Sequence, residues 1–373
     1  MTSKIFTIIA IAALLSGLAV AIVGDGSDAS GSFTIEDGTT DSTGALTPRT
    51  FEYAGPSEHV VTTGYASTLT VVELGYADKI VATDTYGAYS YNKDERLKDL
   101  DVPSLGSIGS ASNNDYIVAT LVQWVEEGKI SLDDTIIFTT YSNGKVIRTA
   151  LEEKGFTHVL VYLSITDYDQ IVKFVDTLSF ALSGGSSKVV DDMKLVRSSI
   201  SDSVSSVDKK SKAVFVWWSA TGGFKVGNTG SLAVSLINAA GGDNIAYDKS
   251  VSAATYGDTS TIIQLVEKNQ DVTLLLSDSY LNAGHTVSDF RSEVFGGKSV
   301  KIVPLEPTWN NYCPDASDGL WAVASALYPD LFEGDAPVTE ETSDQSNVLL
   351  YVAAGLLIVI VVAAIAYFVL RKP

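Results

Sequence analysis

The clearest hydrophobic periodicity of the chain lies in residues 188–207. Apolar side chains recur there at intervals of three or four positions: Met193, Val196, Ile200, Val204 and Val207. This spacing places them on one face of an α-helix, and the charged and polar residues between them suit the solvent-exposed faces. The pattern predicts one long helix. Periodicity alone fits an ordinary surface helix, so its role depends on the segments around it.

The segments on either side of this helix repeat one pattern. Residues 59–84 and 213–248 both read as strand, turn, helix, glycine and strand. Two further strand and helix units follow in each half, and the last of them pairs residues 146–162 with 290–305. Strands that alternate with helices are typical of parallel sheets with helices on both faces. We therefore predict an α/β fold with two Rossmann-like lobes and parallel sheets, joined by one long connecting helix.

Changes in composition set the boundaries of the predicted domains. The predicted segments are, in order, an apolar N-terminal segment (residues 1–23), a linker (24–49), the first lobe (50–180), the connecting helix (181–212), the second lobe (213–332), an acidic linker (333–347) and a transmembrane helix (348–370). The first linker is rich in Gly, Ser, Thr and Asp, so it is predicted to be a flexible exposed spacer. A chain of 373 residues is long enough to form two domains with substantial cores.

Both ends of the chain are hydrophobic. Lys4 precedes the N-terminal apolar run, and residues 19–21 (AVA) suit signal-peptide cleavage, although the run is also long enough for an uncleaved anchor. Residues 348–370 contain no charged side chain over 23 positions, which is enough to span a bilayer. Arg371 and Lys372 follow directly, and the positive-inside rule puts them in the cytoplasm. The sequence therefore predicts a cell-membrane protein with a single C-terminal span and extracellular lobes.

Charge and residue content exclude several kinds of function. A net charge of −20 disfavours nucleic acid as a partner, because the chain repels phosphate. Cys313 is the single cysteine, so neither an intrachain disulfide nor a cysteine-rich metal site can form. His59 and His158 precede well-separated predicted strands, and His285 suits the surface although it could also reach the cleft, so we predict no resident metal and no cofactor. Neither a Gly-x-Ser-x-Gly motif nor a Walker A loop is present, and we predict that the chain is not an enzyme.

Aromatic residues concentrate where the predicted strands end. The carboxyl ends of parallel strands face the ligand crevice in α/β proteins. The candidate ligand-binding residues at these ends are Tyr65, Tyr86, Tyr141, Trp217, Trp218, Tyr280 and Trp309. Their flat, partly polar rings suit a bulky conjugated or chelated ligand, through stacking and hydrogen bonds. Aromatic residues also favour strands in general, so we expect only about half of the set to contact a ligand.

Several short motifs resemble a known family. They are residues 74–81 (LGYADKIV), 102–106 (VPSLG), 239–245 (AAGGDNI), 318–320 (DGL) and 327–332 (LYPDLF). In this order around the connecting helix, they resemble the ABC-transporter substrate-binding proteins for vitamin B12, haem and iron-siderophores. The resemblance spans about residues 49–332. It implies lobes that close little on a ligand, and capture of a metal chelate for delivery to an ABC permease and its ATPase.

The chain departs from this family in two respects. Such proteins usually present one Glu near a helix start in each lobe to pair with permease arginines, but the expected position in the second lobe falls near Ile263. Asp115 and Asp258 lie at the corresponding helix starts and are the candidate docking residues. Each could instead simply cap its helix. A C-terminal membrane span is atypical of free periplasmic members and suits a cell with one membrane that must tether its receptors.

The leading hypothesis is an extracellular receptor that binds an iron-siderophore, haem or a corrinoid in the interlobe cleft. Two other classes remain open: a non-transport surface or adhesion protein that retains the fold, and a secreted enzyme that uses the cleft. The sequence does not choose among the chelates, because no residue pattern specifies a particular metal or ring.

Overall fold

The computed structural model describes most of the chain between the two hydrophobic ends. The described residues are 31–40, 46–107, 111–139, 144–162, 165–247, 249–251, 253–269, 271–306, 308–309 and 311–338. One compact unit extends through Ala336 and a second begins at Pro337. The predicted signal peptide and transmembrane helix lie outside the described residues. Within the described ranges, no helix is both long and apolar enough to cross a bilayer.

An antiparallel hairpin precedes the first lobe. It consists of β1 (Gly31–Thr40) and β2 (Leu46–Tyr53). The prediction of a flexible exposed spacer is therefore wrong for Gly31–Thr40 and for residues 46–49, which form strands. The alternation of apolar and polar residues from Ser32 to Glu36 is a strand signal that the Gly- and Ser-rich composition obscured. At the end of β2, Phe51 and Tyr53 are buried in the core of the first lobe.

The first lobe contains a four-stranded parallel sheet in the order β4–β3–β5–β6. Its strands are β3 (Val60–Thr63), β4 (Ile80–Thr83), β5 (Thr135–Thr139) and β6 (His158–Tyr162). The helices between them are α1 (Tyr65–Glu73), α2 (Tyr89–Asn92), α3 (Ala111–Glu126) and α4 (Gly144–Glu152). Two-residue alternation gives this sheet two buried faces. Val61 and Ile136 pack with α3 and α4, whereas Val60 and Ile137 belong to a core shared with the connecting helices.

Two consecutive helices lead from the first lobe to the second. They are α5 (Tyr168–Ser183) and α6 (Lys188–Val204). Gly184 ends α5 in the left-handed conformation, and the Ser187 side chain caps α6 by accepting a hydrogen bond from the Val190 N–H. The buried residues of α6 are Val190, Met193, Val196 and Ile200. The predicted helix is therefore confirmed with its predicted face, although it ends at Val204 instead of Val207.

The second lobe contains a six-stranded mixed sheet in the order β10–β8–β7–β11–β12, with β9 beside β7. Its strands are β7 (Lys212–Ser219), β8 (Gly223–Gly227), β9 (Asp243–Asn244), β10 (Thr255–Tyr256), β11 (Thr273–Leu276) and β12 (Lys301–Pro304). Its helices are α7 (Leu232–Ala239), α8 (Thr259–Lys268), α9 (Asp278–Asn282), α10 (Val287–Phe295) and α11 (Ala316–Leu327). The last helix, α11, packs back against α6 and α7.

The predicted internal repeat is visible in the strand order. The parallel strands β9–β7–β11–β12 of the second lobe reproduce the order β4–β3–β5–β6 of the first. The prediction of a purely parallel second sheet is wrong, because β8 pairs antiparallel with β7 and β10 pairs antiparallel with β8. The chain reverses at Gly222 and Gly223, where Gly223 adopts a positive φ of 63° that suits a tight turn. A hairpin therefore stands where a strand-to-helix turn was predicted.

Candidate functional site

The carboxyl ends of β3 and β4 meet around one buried carboxylate. Asp84 is 0% exposed, and its Oδ1 accepts hydrogen bonds from the N–H groups of Gly64 and Gly87, both at 2.8 Å. Burial raises the pKa of the Asp84 carboxyl, and these N–H groups act in the opposite direction. Because Gly64 and Gly87 adjoin Tyr65 and Tyr86, Asp84 fixes the backbone beside two predicted ligand-binding residues. Sequence reasoning did not single out Asp84.

A chain of hydrogen-bonded, buried hydroxyl groups lies at the same end of the first sheet, next to Asp84. Thr62 Oγ1 lies 2.8 Å from Thr68 Oγ1, which lies 3.1 Å from Thr83 Oγ1. A Cβ at position 87 would lie 1.9 Å from Thr83 Oγ1, so the backbone can approach this closely only because Gly87 lacks a side chain. These contacts give the first lobe a rigid polar base at the end of the sheet where the site is predicted.

Tyr65 and Tyr86 are both half-buried at this edge of the first lobe. The Tyr65 hydroxyl donates a hydrogen bond to the Asp94 carboxylate. Burial, and then the Asp94 carboxylate, raise the pKa of Tyr65, which keeps the hydroxyl protonated as a donor. Ser107 Oγ donates to the Tyr86 hydroxyl at 3.2 Å, and the Tyr86 ring meets the exposed Tyr91 ring edge-on at 5.1 Å. The structure thus adds Tyr91 to the aromatic residues available at this edge.

The second lobe contributes Trp217 and Trp218 from the end of β7. Adjacent residues of a strand point to opposite faces of the sheet. Trp217 is 37% exposed and shares a face with the buried Phe215, whereas Trp218 packs with the core on the other face. The two rings therefore cannot both stack on one planar ligand from the same side of the sheet.

Tyr280 lies in the interior beneath Trp218. Its side chain is 1% exposed, and its hydroxyl donates to Glu293 Oε2 at 3.1 Å. Burial and the Glu293 carboxylate raise the pKa of Tyr280 to about 12. The ring stacks on the exposed His285 at 4.4 Å and meets Trp218 edge-on at 5.4 Å. The structure corrects the prediction for this residue, because Tyr280 supports Trp218 and His285 instead of offering its own face to a ligand.

Trp309 is half-buried in the segment between β12 and α11. A Cβ at Gly319 would lie 2.7 Å from the Trp309 Cβ, so α11 approaches Trp309 very closely. Trp309 also packs against the core that contains the connecting helices. The remaining aromatic candidate, Tyr141, lies outside the described residues.

The two candidate docking residues differ in their local roles. Asp258 caps α8: its carboxylate accepts from the Thr261 N–H at 3.1 Å, and Thr261 Oγ1 accepts from the Asp258 N–H. The Ser260 hydroxyl and the Thr261 N–H lower the pKa of Asp258. Asp115 is exposed within α3, four residues after the helix begins at Ala111. Helix capping therefore accounts for Asp258 but not for Asp115.

The three histidines do not converge. His59 and His158 lie at the amino ends of β3 and β6, which is the end of the first sheet opposite the predicted site. His59 Nδ1 lies 2.9 Å from Asp134 Oδ2, and the buried His158 ring stacks on Tyr53 at 3.9 Å. Across the described residues, no three His, Cys, Asp or Glu side chains form a group suited to a metal ion.

Comparisons with known proteins extend this description. No family model and no curated protein sequence matches the chain. Solved structures do match. The vitamin B12 binding protein BtuF of Vibrio cholerae is 18% identical, with 74% of this chain and 98% of that chain covered and a TM-score of 0.52. The apo haem-binding protein RhuT of Roseiflexus sp. RS-1 is 17% identical, with 73% and 99% covered and a TM-score of 0.52.

The chain has the fold of periplasmic binding proteins. CeuE of Helicobacter pylori with Ni(II) bound matches as well, at 17% identity, with 79% of this chain and 89% of that chain covered and a TM-score of 0.53. The resemblance inferred from the sequence motifs is thus confirmed at the level of fold. At these identities the binding-protein fold is what the comparisons establish.

Proposed function

We propose that the chain is the solute-binding receptor of an ABC importer, and that its ligand is a metal chelate: an iron-siderophore, haem or a corrinoid. The binding-protein fold supports a solute-binding role. The observation that carries the proposal is the presence of accessible aromatic rings at the strand ends of both lobes. Tyr86 and Tyr91 belong to the first lobe, whereas Trp217, Trp218 and Trp309 belong to the second.

The chemistry of these rings suits such a ligand. A corrin, a porphyrin or an aromatic siderophore presents a broad, flat surface, which stacks on Tyr and Trp with favourable burial of apolar area. Hydroxyl and indole N–H groups at the ring edges can bind the polar rim of the same ligand. Delivery would follow through contact with a permease, for which the exposed Asp115 and Asp258 are the candidate residues.

We also propose that the lobes are extracellular and tethered by residues 348–370. The apolar run followed by Arg371 and Lys372 supports this topology. A receptor held at the membrane surface would remain close to its permease.

A thermal-shift assay with purified full-length chain tests the ligand class. Ferric siderophores, haem and cobalamin serve as ligands, and an iron-free siderophore and iron-free protoporphyrin serve as matched controls. A ligand that binds only the folded state stabilises it by about 2.7 kcal/mol at one hundred times its Kd, so the true class should raise the melting temperature by several degrees. If none of the chelates shifts the melting temperature, the chelate proposal is wrong, and the hypothesis of a non-transport surface protein takes its place.

A further inference from the structure

Arg96 joins the two lobes by a bidentate ion pair. It lies in the short 3-10 turn Glu95–Leu97 of the first lobe. Its Nη1 donates to Asp315 Oδ1 and its Nη2 to Asp315 Oδ2, each at 2.9 Å. Asp315 stands 219 positions later in the chain, immediately before α11 of the second lobe. The planar guanidinium matches the carboxylate geometry in this arrangement, which makes the pair directional as well as attractive.

The same guanidinium is bound to two more carboxylates of its own lobe. Nε donates to Asp94 Oδ1 at 3.1 Å and Nη2 donates to Asp94 Oδ2 at 2.8 Å, while Nη1 also donates to Glu73 at the end of α1. The Arg96 side chain is 38% exposed, but those of Glu73, Asp94 and Asp315 are 18%, 14% and 14% exposed. Carboxylates this far removed from water depend on a cation partner much more than surface carboxylates do.

This group of residues contacts the predicted site on both lobes. On the first lobe, Asp94 accepts the hydrogen bond of the Tyr65 hydroxyl. On the second, the Asp315 carbonyl accepts a hydrogen bond from the Gly319 N–H, and Gly319 is the residue of α11 that lies against Trp309. Beside the ion pairs, Leu69 and Leu97 of the first lobe bury Cys313 of the second. A polar and an apolar contact therefore cross between the lobes at the same place.

The balance of charge makes Arg96 the critical member. The groups that face one another here are Glu73 on α1, Asp94 and Arg96 on the segment after α2, and Cys313, Asp315 and Asp318 on the segment leading into α11. Removing the guanidinium would leave the charged carboxylates of Asp94 and Asp315 facing each other across the lobe boundary, beside the Glu73 carboxyl group. The two like charges would repel, so the lobes would move apart or take up water.

We infer that Glu73, Asp94, Arg96 and Asp315 form an interlobe clasp, in which Arg96 holds the two lobes at one separation and thereby positions Tyr65 and Trp309 on opposite walls of the cleft. The part of this inference that concerns ligand positioning rests on the proposed function, whereas the fixed separation of the lobes is independent of that function.

Pulsed electron-electron spin resonance on the full-length chain tests the clasp. Spin labels at Glu153→Cys in the first lobe and Lys298→Cys in the second report the interlobe distance, while the buried Cys313 is 0% exposed and so resists labelling. Arg96→Ala should broaden and shift the distance distribution. Arg96→Lys should do so less, because Lys keeps the charge but loses the bidentate geometry. Arg197→Ala is the matched control, since Arg197 is 32% exposed, pairs with Asp169 of α5 and donates to the Ala239 carbonyl at the end of α7, neither of which belongs to the clasp.

The outcomes separate the clasp from the proposed function. An Arg96→Ala distribution identical to those of the parent and Arg197→Ala would overturn the clasp. If Arg96→Ala does not fold, Asp315→Asn, which retains the shape of the side chain, must show the broadening. If a chelate binds only the state in which the clasp is formed, a variant that forms the clasp one tenth of the time should bind that chelate with a Kd about ten times that of the parent. If no chelate binds the parent, the proposed function fails, and the distance measurement still decides the clasp.

Discussion

At the scale of single residues, the candidate site of the first lobe has a buried, hydrogen-bonded base. Asp84 accepts two backbone N–H groups, and the surrounding threonine hydroxyl groups bind one another. None of these residues would itself stack on a ligand. They determine where Tyr65 and Tyr86 stand, so their contribution to binding is through geometry.

Replacing Asp84 with Ala should lower the free energy of unfolding by about 1–3 kcal/mol, because two buried N–H groups lose their acceptor. Urea denaturation of the full-length chain measures the change. Asp115→Ala is the control, since Asp115 is exposed and its loss should change stability by at most about 0.5 kcal/mol. Equal stability of Asp84→Ala and the parent would show that this carboxylate does not hold the two backbone segments.

Glu73 should make stability depend on pH. Burial and the neighbouring Asp315 carboxylate raise the pKa of Glu73 from about 4.5 to about 8. Between these values the folded chain retains a proton that the unfolded chain releases, so this contribution to stability is present below about pH 4.5 and is lost as pH rises through about 8. Although burial acts in the opposite direction, the Arg96 guanidinium lowers the pKa of Asp315, so the contribution of Asp315 to stability is lost instead at acidic pH.

Glu73→Gln, which cannot ionise, should therefore melt at a higher temperature than the parent at pH 9 and at a similar temperature near pH 5. Melting curves across this range provide the measurement. A difference between variant and parent that stays constant with pH would contradict the assignment.

At the scale of secondary-structure elements, the β7–β8 hairpin decides how the second lobe presents its aromatic residues. The hairpin extends β7 through Trp217 and Trp218, so strand alternation directs them to opposite faces. Had the chain turned into a helix after Trp217, the second tryptophan would belong to a loop.

Only one of these two tryptophans should therefore stack on a chelate. Replacing it with Ala should weaken binding by about tenfold, the equivalent of 1.4 kcal/mol of lost stacking, while replacing the other should leave binding nearly unchanged. Titration calorimetry with the ligand identified by thermal shift measures both variants, and Trp309→Ala belongs in the same series. Equal weakening by Trp217→Ala and Trp218→Ala would mean that the ligand contacts both faces of β7.

The helix starts of α3 and α8 provide a second prediction at this scale. Asp258→Ala should lower stability by about 1 kcal/mol through loss of the cap, whereas Asp115→Ala should not. If these residues dock to a permease, both variants should bind the chelate normally and reduce its uptake into cells. Normal uptake by the double variant would exclude a docking role for the pair.

At the scale of the whole molecule, the proposed membrane topology rests on the apolar residues 348–370 and the two basic residues after them. Protease added to intact cells should cut within residues 333–347 and release both lobes, because that acidic segment is predicted to lie outside the membrane. Immunoblotting of the supernatant measures the release. Protection of the segment until the cells are lysed would reverse the predicted orientation.

The connecting helices and the clasp both bear on lobe movement. Helices α5 and α6 lie between β6 and β7, and helices resist bending more than extended hinges do. Arg96 joins the lobes at a second place. Small-angle scattering should therefore change little on ligand binding, and a large contraction would show that the lobes close as freely hinged domains.

The sequence alone predicts those parts of the structure that produce a regular spacing of apolar residues. The buried face of α6 and the repeated succession of strands and helices follow from spacings of two and three to four residues, and such spacings are local. What the tertiary structure decided involves residues far apart in the chain. Tyr280 occupies the interior because Trp218, His285 and Glu293 surround it, and β8 enters the sheet because a glycine turn returns it to β7.

The interlobe clasp shows why contacts between distant residues could not be predicted from the sequence. Arg96 and Asp315 stand 219 positions apart, and no spacing relates them. Their contact depends on the packing of Leu69 and Leu97 against Cys313 at the boundary between the lobes. Patterns along the chain report which face of an element is apolar, whereas the partner of a polar group is decided only when those faces have packed.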